Sequence, residues 1–325
     1  MKHILFGESH GNAIGITLEN PPAGIRLDWD FIRTEMARRA PGASPLTTTR
    51  KEADEVEILS GVLDGRTTGT PLCAILRNTD THSEDYRLFQ DVPRPGHADY
   101  TAQVRYHNFA DLRGGGHFSG RLTAPLVFAG AIAKLILRQK GIEVSAEISM
   151  IGGIKNPSSE QIEVIIRETR RKKDSVGGAV RGQVIGLPAG FGTPDFGCNA
   201  EGIFSQYFFT VPAVKAVSFG AGTAFASMYG SEANDAFILQ DGQIRTATNH
   251  SGGINGGITN GMPLTFEVVF RPTPSIAQPQ KTLSLSRQTE TELTIPGRHD
   301  PCIVLRAVVV IEAAAALAAC ELLGI

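Results

Sequence analysis

Four short stretches gather the residues able to move protons or hold anions. In the first, Gly7, Glu8, Ser9, His10 and Gly11 follow an apolar run at residues 4–6. Flanking glycines let a polar turn project His10 into a cleft, where an imidazole exchanges a proton near neutral pH. Ser9 beside it suggests a nucleophile with its base. Neighbours on a strand point to opposite faces, however, and no GxSxG elbow is present, so hydrolase chemistry is set aside. The second stretch holds Arg94, His97 and Asp99, then residues 113–121, RGGGHFSGR. Three glycines expose backbone N–H groups, and a helix beginning near Thr123 adds its positive end, a cradle for an anion. Arg94, Arg113 and Arg121 bracket it with planar donors suited to phosphate and carboxylate. The third stretch pairs glycines at 252–253 and 256–257 after Asn249, and continues to Arg271, Pro272, Thr273, Pro274 and Ser275. The fourth, residues 297–302, places Asp300 and Pro301 at the start of the last helix, where Asp300 is as readily an N-cap as a catalytic carboxylate. Taken singly, each stretch also has an ordinary structural reading as a turn, a loop or a cap.

The elements that must position these groups are legible in part. Asp28 caps a helix running to residue 40, which Pro41 stops. Residues 123–140 are apolar nearly all round and end at Gly141, as a core helix does. The segment after Pro301 is similar. A capping box at Ser158 and Gln161 opens a helix that ends in the charged run 167–174, RETRRKKD, read as a solvated helix end. Strands are expected at residues 55–60, 72–77, 143–151, 179–187 and 263–270. Strands and helices do not alternate at βαβ spacing. The expectation is therefore a mixed α+β fold in one large domain, residues 1–325, with core helices between antiparallel sheets.

Composition excludes several classes. The 325 residues are 42% hydrophobic and 20% charged, and 31 basic against 33 acidic side chains leave a net charge of −2. No global field recruits nucleic acid or an anionic membrane. The 36 glycines exceed the usual share of about 7%. Four scattered cysteines lack metal spacing and read as reduced thiols of a cytoplasmic protein without a signal peptide. Residues 302–325 are the most membrane-like stretch, but Arg306, Glu312 and Glu321 interrupt it.

In their order and separations these stretches resemble one family, the chorismate synthases. The likeness is carried by residues 7–11, 38–42, 69–71, 78–86, 94–101, 113–123, 212–220, 230–235, 249–263, 271–275 and 297–302. It implies a β-α-β sandwich that converts 5-enolpyruvylshikimate 3-phosphate to chorismate and phosphate by 1,4-anti elimination, with reduced FMN and no net redox change. It implies a homotetramer. By position, His10 protonates the departing phosphate, His97 acts on the flavin, and Ser9 and Asp300 relay a proton. Arg39, Arg94, Ser119, Arg121 and Arg298, with Arg50 as a weaker candidate, hold the substrate. FMN rests on His117, Phe118, Ser119, Pro212, Ala213, Asn249, Gly256, Arg271, Pro272, Thr273, Pro274, Ser275 and Arg298.

Some positions depart from the family pattern. Pro45 stands where an arginine is usual, Lys51 replaces a later arginine, and His117, Phe118 and Leu122 alter the flavin loop. These changes leave room for another phosphorylated cyclic acid as substrate, or for a non-catalytic FMN-binding paralogue. No GxGxxG fingerprint is present, so reduced flavin is expected from an external reductant.

Overall fold

A computed structural model describes residues 1–40, 42, 54–78, 88–295 and 300–325. Two antiparallel sheets enclose a layer of helices. The first sheet has the order β1 (His3–Gly7), β2 (Ala13–Leu18), β6 (Leu72–Arg77), β3 (Val56–Ser60). The second has the order β10 (Val214–Phe219), β15 (Leu264–Phe270), β9 (Gly178–Ile185), β7 (Glu143–Ile151), β8 (Ile154–Lys155). In β15, Leu264, Phe266, Val268 and Phe270 are buried while the residues between them are not. That period of two turns one face of the strand to the core.

Between the sheets lie α4 (Thr123–Arg138) and α8 (Val304–Leu322), flanked by α1 (Trp29–Arg39) and α6 (Ala200–Thr210). α4 and α8 approach at Gly130, where a Cβ would fall 2.2 Å from that of Ala313. Small residues along α8 permit this, and leave both helices almost wholly buried. The expected helices and strands match to within three residues, but α8 starts three residues after Pro301 with Ile303 in the capping position, so Asp300 is not its N-cap. Among the described residues one helical stretch, Gly120–Arg138 (a 3₁₀ turn and α4), is long and apolar enough to cross a membrane, and 83% of its most apolar part is buried within the fold.

Four charged side chains enter this apolar layer together. Lys134 contacts Glu35 and Glu312, and Arg38 holds Glu312 through both terminal nitrogens at 2.7 and 2.9 Å and Glu35 at 2.8 Å. Burial works against the Glu312 charge, but Arg38 and Lys134 outweigh it and hold the carboxyl below its usual range. Compensation of this kind is what permits ionised groups inside a core.

Smaller elements decorate the sandwich: hairpins β4–β5 (Val62–Leu63, Arg66–Thr67), β11–β12 (Phe237–Gln240, Gln243–Thr246), β13–β14 (Ile254–Asn255, Ile258–Thr259) and β16–β17 (Gln280–Ser284, Thr289–Leu293). Short helices α2 (Leu88–Asp91), α3 (Asp99–Arg105) and α7 (Gly230–Ala233), and α5 (Ser159–Arg171) with its capping box, complete it. Phe89, Val92, Leu293 and Ile295 form a second small core. It joins the segment entering Arg94 to the segment leading towards Asp300.

Candidate active site

The first stretch folds back on the glycine run. Ser9 and His10 lie in a turn after β1, not on a strand, so their side chains meet: Ser9 Oγ is 3.2 Å from His10 Nδ1. Ser9 Oγ also donates to the Arg113 carbonyl at 3.3 Å. Both residues are buried. A Cβ on Gly114 would fall 1.9 Å from the His10 ring, and one on Gly115 would fall 3.4 Å from His97 Nε2. Gly114 and Gly115 have φ of +62° and +105°, conformations open chiefly to glycine. The run thus seats two imidazoles at adjacent positions. The Gly115 N–H is spent on the Leu112 carbonyl, and a 3₁₀ turn, Gly120–Leu122, separates the run from α4. This differs from the open N–H cradle expected from sequence.

His97 is oriented by a carboxylate. Its Nδ1 lies 2.6 Å from Asp99 Oδ1, and Arg94 donates from Nε and Nη2 to the same carboxylate, both at 2.7 Å. Asp99 is fully buried; burial opposes its charge, yet the hydrogen bonds from Arg94 and His97 prevail and hold it well below the usual carboxylate range. Arg94 also stacks on Phe89 at 4.4 Å. Its donors go to Asp99 rather than outward, and Arg113 likewise pairs with Asp111 at 2.6 Å.

The guanidiniums of Arg39 and Arg121 meet across Asp54, each contacting one of its oxygens. Burial lowers the Arg39 pKa to about 10, against the pull of Asp54, so it stays cationic at neutral pH. Its Nε is buried and has no hydrogen-bond partner among the described residues. Arg121 Nε donates to Asn78 at 3.3 Å, and Asn78 in turn donates to the carbonyls of Glu8 and Gly11 on either side of His10. Arg306 joins the Arg39 carbonyl at 2.9 Å to Asp300 at 3.4 Å. Burial raises the Asp300 pKa, with Arg306 opposing.

The proline-rich segment closes the circuit. Arg271 donates to the Gly96 carbonyl beside His97, and its backbone N–H to Ala213 at 3.0 Å, next to Pro212. Ser175 donates to the Thr273 carbonyl at 2.6 Å, and Val176 N–H to the Pro301 carbonyl at 2.9 Å. His10, His97, Arg271, Asp300, Arg39 and Arg121 therefore lie on one continuous ring of contacts. Pro274 lies 3.6 Å from where a Cβ on Gly96 would fall, and Pro272 and Ser275 are its near neighbours in the chain. The Thr273 hydroxyl is buried and has no hydrogen-bond partner among the described residues. Ser119 accepts from the Arg121 N–H at 3.2 Å, His117 contacts the Gly7 carbonyl at 3.0 Å, and Phe118 is partly exposed beside Tyr106.

Asn249 and Gly256 are not on this ring. Asn249 binds the Pro263 carbonyl and the Gly253 N–H, at the start of β15, whereas Arg271 follows its end. Seven strand residues, roughly 23 Å, separate the two. Gly256 and Gly257 form the two-residue turn of β13–β14, both with positive φ. Arg50, Arg298, Pro45 and Lys51 lie outside the described residues. Among the described residues no cluster of histidine, cysteine or carboxylate side chains has the makings of a metal site.

Sequence reasoning missed Asp54, Asn78, Asp99 and Arg306 as site residues. Asp99 had a signal, a carboxylate two residues beyond His97 in a tight turn. Arg306 had another, the single cation of a largely apolar helix. Asp54 sits among Glu52, Glu55 and Glu57, and nothing local singles it out.

The fold has counterparts among known proteins. A solved structure described as a chorismate synthase superposes with a TM-score of 0.76, covering 99% of this chain and 91% of its own at 25% identity. That defines the class, an α+β sandwich enzyme. Residues 1–323 match the chorismate synthase family model. Chorismate synthases of Thermococcus gammatolerans and Korarchaeum cryptofilum are each 44% identical over 96% of this chain, covering 93% and 92% of their own lengths. That of Dehalococcoides mccartyi is 43% identical over 95% of this chain and 90% of its own. The chain belongs to the chorismate synthase family.

Proposed function

We propose that the ring of His10, His97, Asp300, Arg39 and Arg121 is the site at which this lyase eliminates phosphate from 5-enolpyruvylshikimate 3-phosphate to form chorismate. One observation carries the reading: residues from four distant stretches form one circuit in which two buried guanidiniums share a single carboxylate. Guanidinium groups placed side by side suit a substrate bearing a phosphate and two carboxylates. The buried Arg39 Nε, without a partner among the described residues, is a donor for one of those anions. Arg50 and Arg298 add charge by family position.

His10 delivers a proton to the departing phosphate, with Ser9 and Gly114 fixing its ring. His97 acts beside the flavin, its ring held by Asp99, while Arg94 acts through Asp99. Asp300, its neutral form favoured by burial, takes part in relaying the proton lost from carbon, together with Ser9.

FMN is the proposed cofactor, held by Pro212, Ala213, Arg271, Pro272, Thr273, Pro274, Ser275, His117, Phe118, Ser119 and Arg298. The buried Thr273 hydroxyl supports this, being a hydrogen-bonding group without a partner among the described residues. When bound, reduced FMN supplies electron density to the allylic system and a base near its N5. An external flavin reductant supplies the electrons, in the cytoplasm. Asn249 and Gly256, expected at the flavin by family position, lie away from these residues. A homotetramer is the proposed assembly. The exposed apolar hairpin β11–β12, with Phe237, Leu239 and Ile244 each at least 73% exposed, supports an assembly.

The test is anaerobic incubation of the protein with dithionite-reduced FMN and 5-enolpyruvylshikimate 3-phosphate. Stoichiometric phosphate and chorismate are expected. Well-folded protein without turnover would point instead to another phosphorylated cyclic acid as substrate, and FMN binding without turnover of any such acid to the paralogue reading.

A further inference from the structure

In the basic run at the end of α5, Arg167, Arg171, Lys172 and Lys173 are exposed and have no role in the reaction proposed above. Arg167, Arg170, Arg171, Lys172 and Lys173 are all exposed, and with Glu168 and Asp174 they give residues 167–174 a local charge of +3 in a chain whose net charge is −2. One or two cations there would suffice to complement the helix dipole. The run does not project into open solvent away from the site. The Lys173 carbonyl accepts from Ala277 N–H at 3.2 Å and the Lys172 carbonyl from Gln278 Nε2 at 2.8 Å, so the backbone of the run is laced to the loop that continues Arg271–Ser275. Ser175 and Val176, which follow at once, hold the Thr273 and Pro301 carbonyls. Arg170 is close enough to Asp300 to favour its ionised form.

We infer that this run is an electrostatic entry surface, drawing phosphate-bearing anions towards the 271–275 segment and Asp300. The inference rests on the reading that the substrate and flavin are polyanions. It assigns the run no contact with the reacting atoms. Charge clustered at the rim of a site raises encounter rates by about 10-fold or more at low ionic strength, and salt removes the advantage because the screening length shrinks to about 8 Å near 0.15 M.

The experiment compares the full chain with a variant carrying Arg167→Gln, Arg171→Gln, Lys172→Gln and Lys173→Gln; Arg170 is kept because of its proximity to Asp300. Association of FMN is followed by stopped-flow flavin fluorescence from about 10 mM to about 300 mM KCl, a range over which screening changes severalfold. For the unaltered chain the rate is expected to fall steeply with salt. The variant should associate roughly 10-fold more slowly at low salt, with a nearly flat salt dependence, and the two should converge at high salt. Turnover at saturating substrate should be unchanged. Equal rates and equal salt slopes would overturn the inference, and a lowered melting temperature with equal rates would reassign the run to helix stability alone. Because FMN association is read separately from turnover, an inactive but salt-sensitive protein would sink the proposed reaction and leave the entry surface standing.

Discussion

The ring of His10 lies against Gly114 so closely that a single methyl group at residue 114 would sit 1.9 Å from both its Nδ1 and its Cε1. Gly114→Ala must therefore displace the imidazole, and the positive φ of +62° adds strain of about 1 kcal/mol. Turnover is expected to fall at least about 100-fold, as for loss of a positioned acid–base group. His10→Ala should show a similar loss. The check is anaerobic phosphate release with each variant, alongside FMN affinity; Gly114→Ala with near-normal kcat would remove His10 from the chemistry.

Asp99 ties His97 to Arg94, and its substitution should act on both activity and acid stability. Asp99→Asn is expected to lower kcat by roughly 100-fold through misorientation of the His97 ring. Because the folded-state pKa lies below the ordinary 3.8, the carboxylate stabilises the fold at pH values above 3.8, and that contribution drains away as pH falls below it. The difference in melting temperature between the unaltered chain and Asp99→Asn should therefore be largest near pH 6 to 7 and shrink in acid, below about pH 4. A gap that widens in acid would contradict the sign.

Asp54 is the common counter-ion of Arg39 and Arg121. Asp54→Ala leaves two buried guanidiniums facing each other, a loss of about 3–5 kcal/mol by analogy with other broken buried pairs. Urea unfolding measures it. In whatever fraction folds, KM for the phosphorylated substrate is expected to rise, since the spacing of the two cations is no longer held. A change below 1 kcal/mol would mean that water reaches the pair.

Asp300 carries the opposite sign. Burial raises its pKa, so ionising it near neutral pH costs the folded state stability, and the cost disappears as pH falls towards the unfolded value. Asp300→Asn should thus hold or raise the melting temperature at pH 7 while lowering turnover, with the thermal gain absent near pH 4. A melting temperature that falls at pH 7 would show that the Arg306 contact outweighs the burial cost.

In the core, Gly130→Ala should cost about 1–3 kcal/mol by overpacking α4 against Ala313. Ala313→Gly in the same chain should restore part of it, a coupling that a double-mutant cycle reads directly.

By itself the sequence determined the local devices. The caps at Asp28 and Ser158, the apolar character of α4 and α8, and the alternation in β15 all follow from short-range periodicity and side-chain hydrogen bonding, which neighbours in the chain settle. The motif residues that carry the family likeness were equally open to reading, His10, His97 and Asp300 among them. The tertiary structure alone decided their company. It assigned Asp54 to two arginines, turned Arg94 inward to Asp99, packed Gly114 on His10, and sent Asn249 to the opposite end of a strand from Arg271. The physical reason is that these are pairings between groups far apart in the chain, chosen by where the sheets and helices bring charge and backbone together after burial. No local pattern encodes which of several nearby carboxylates will be the one left facing a buried cation.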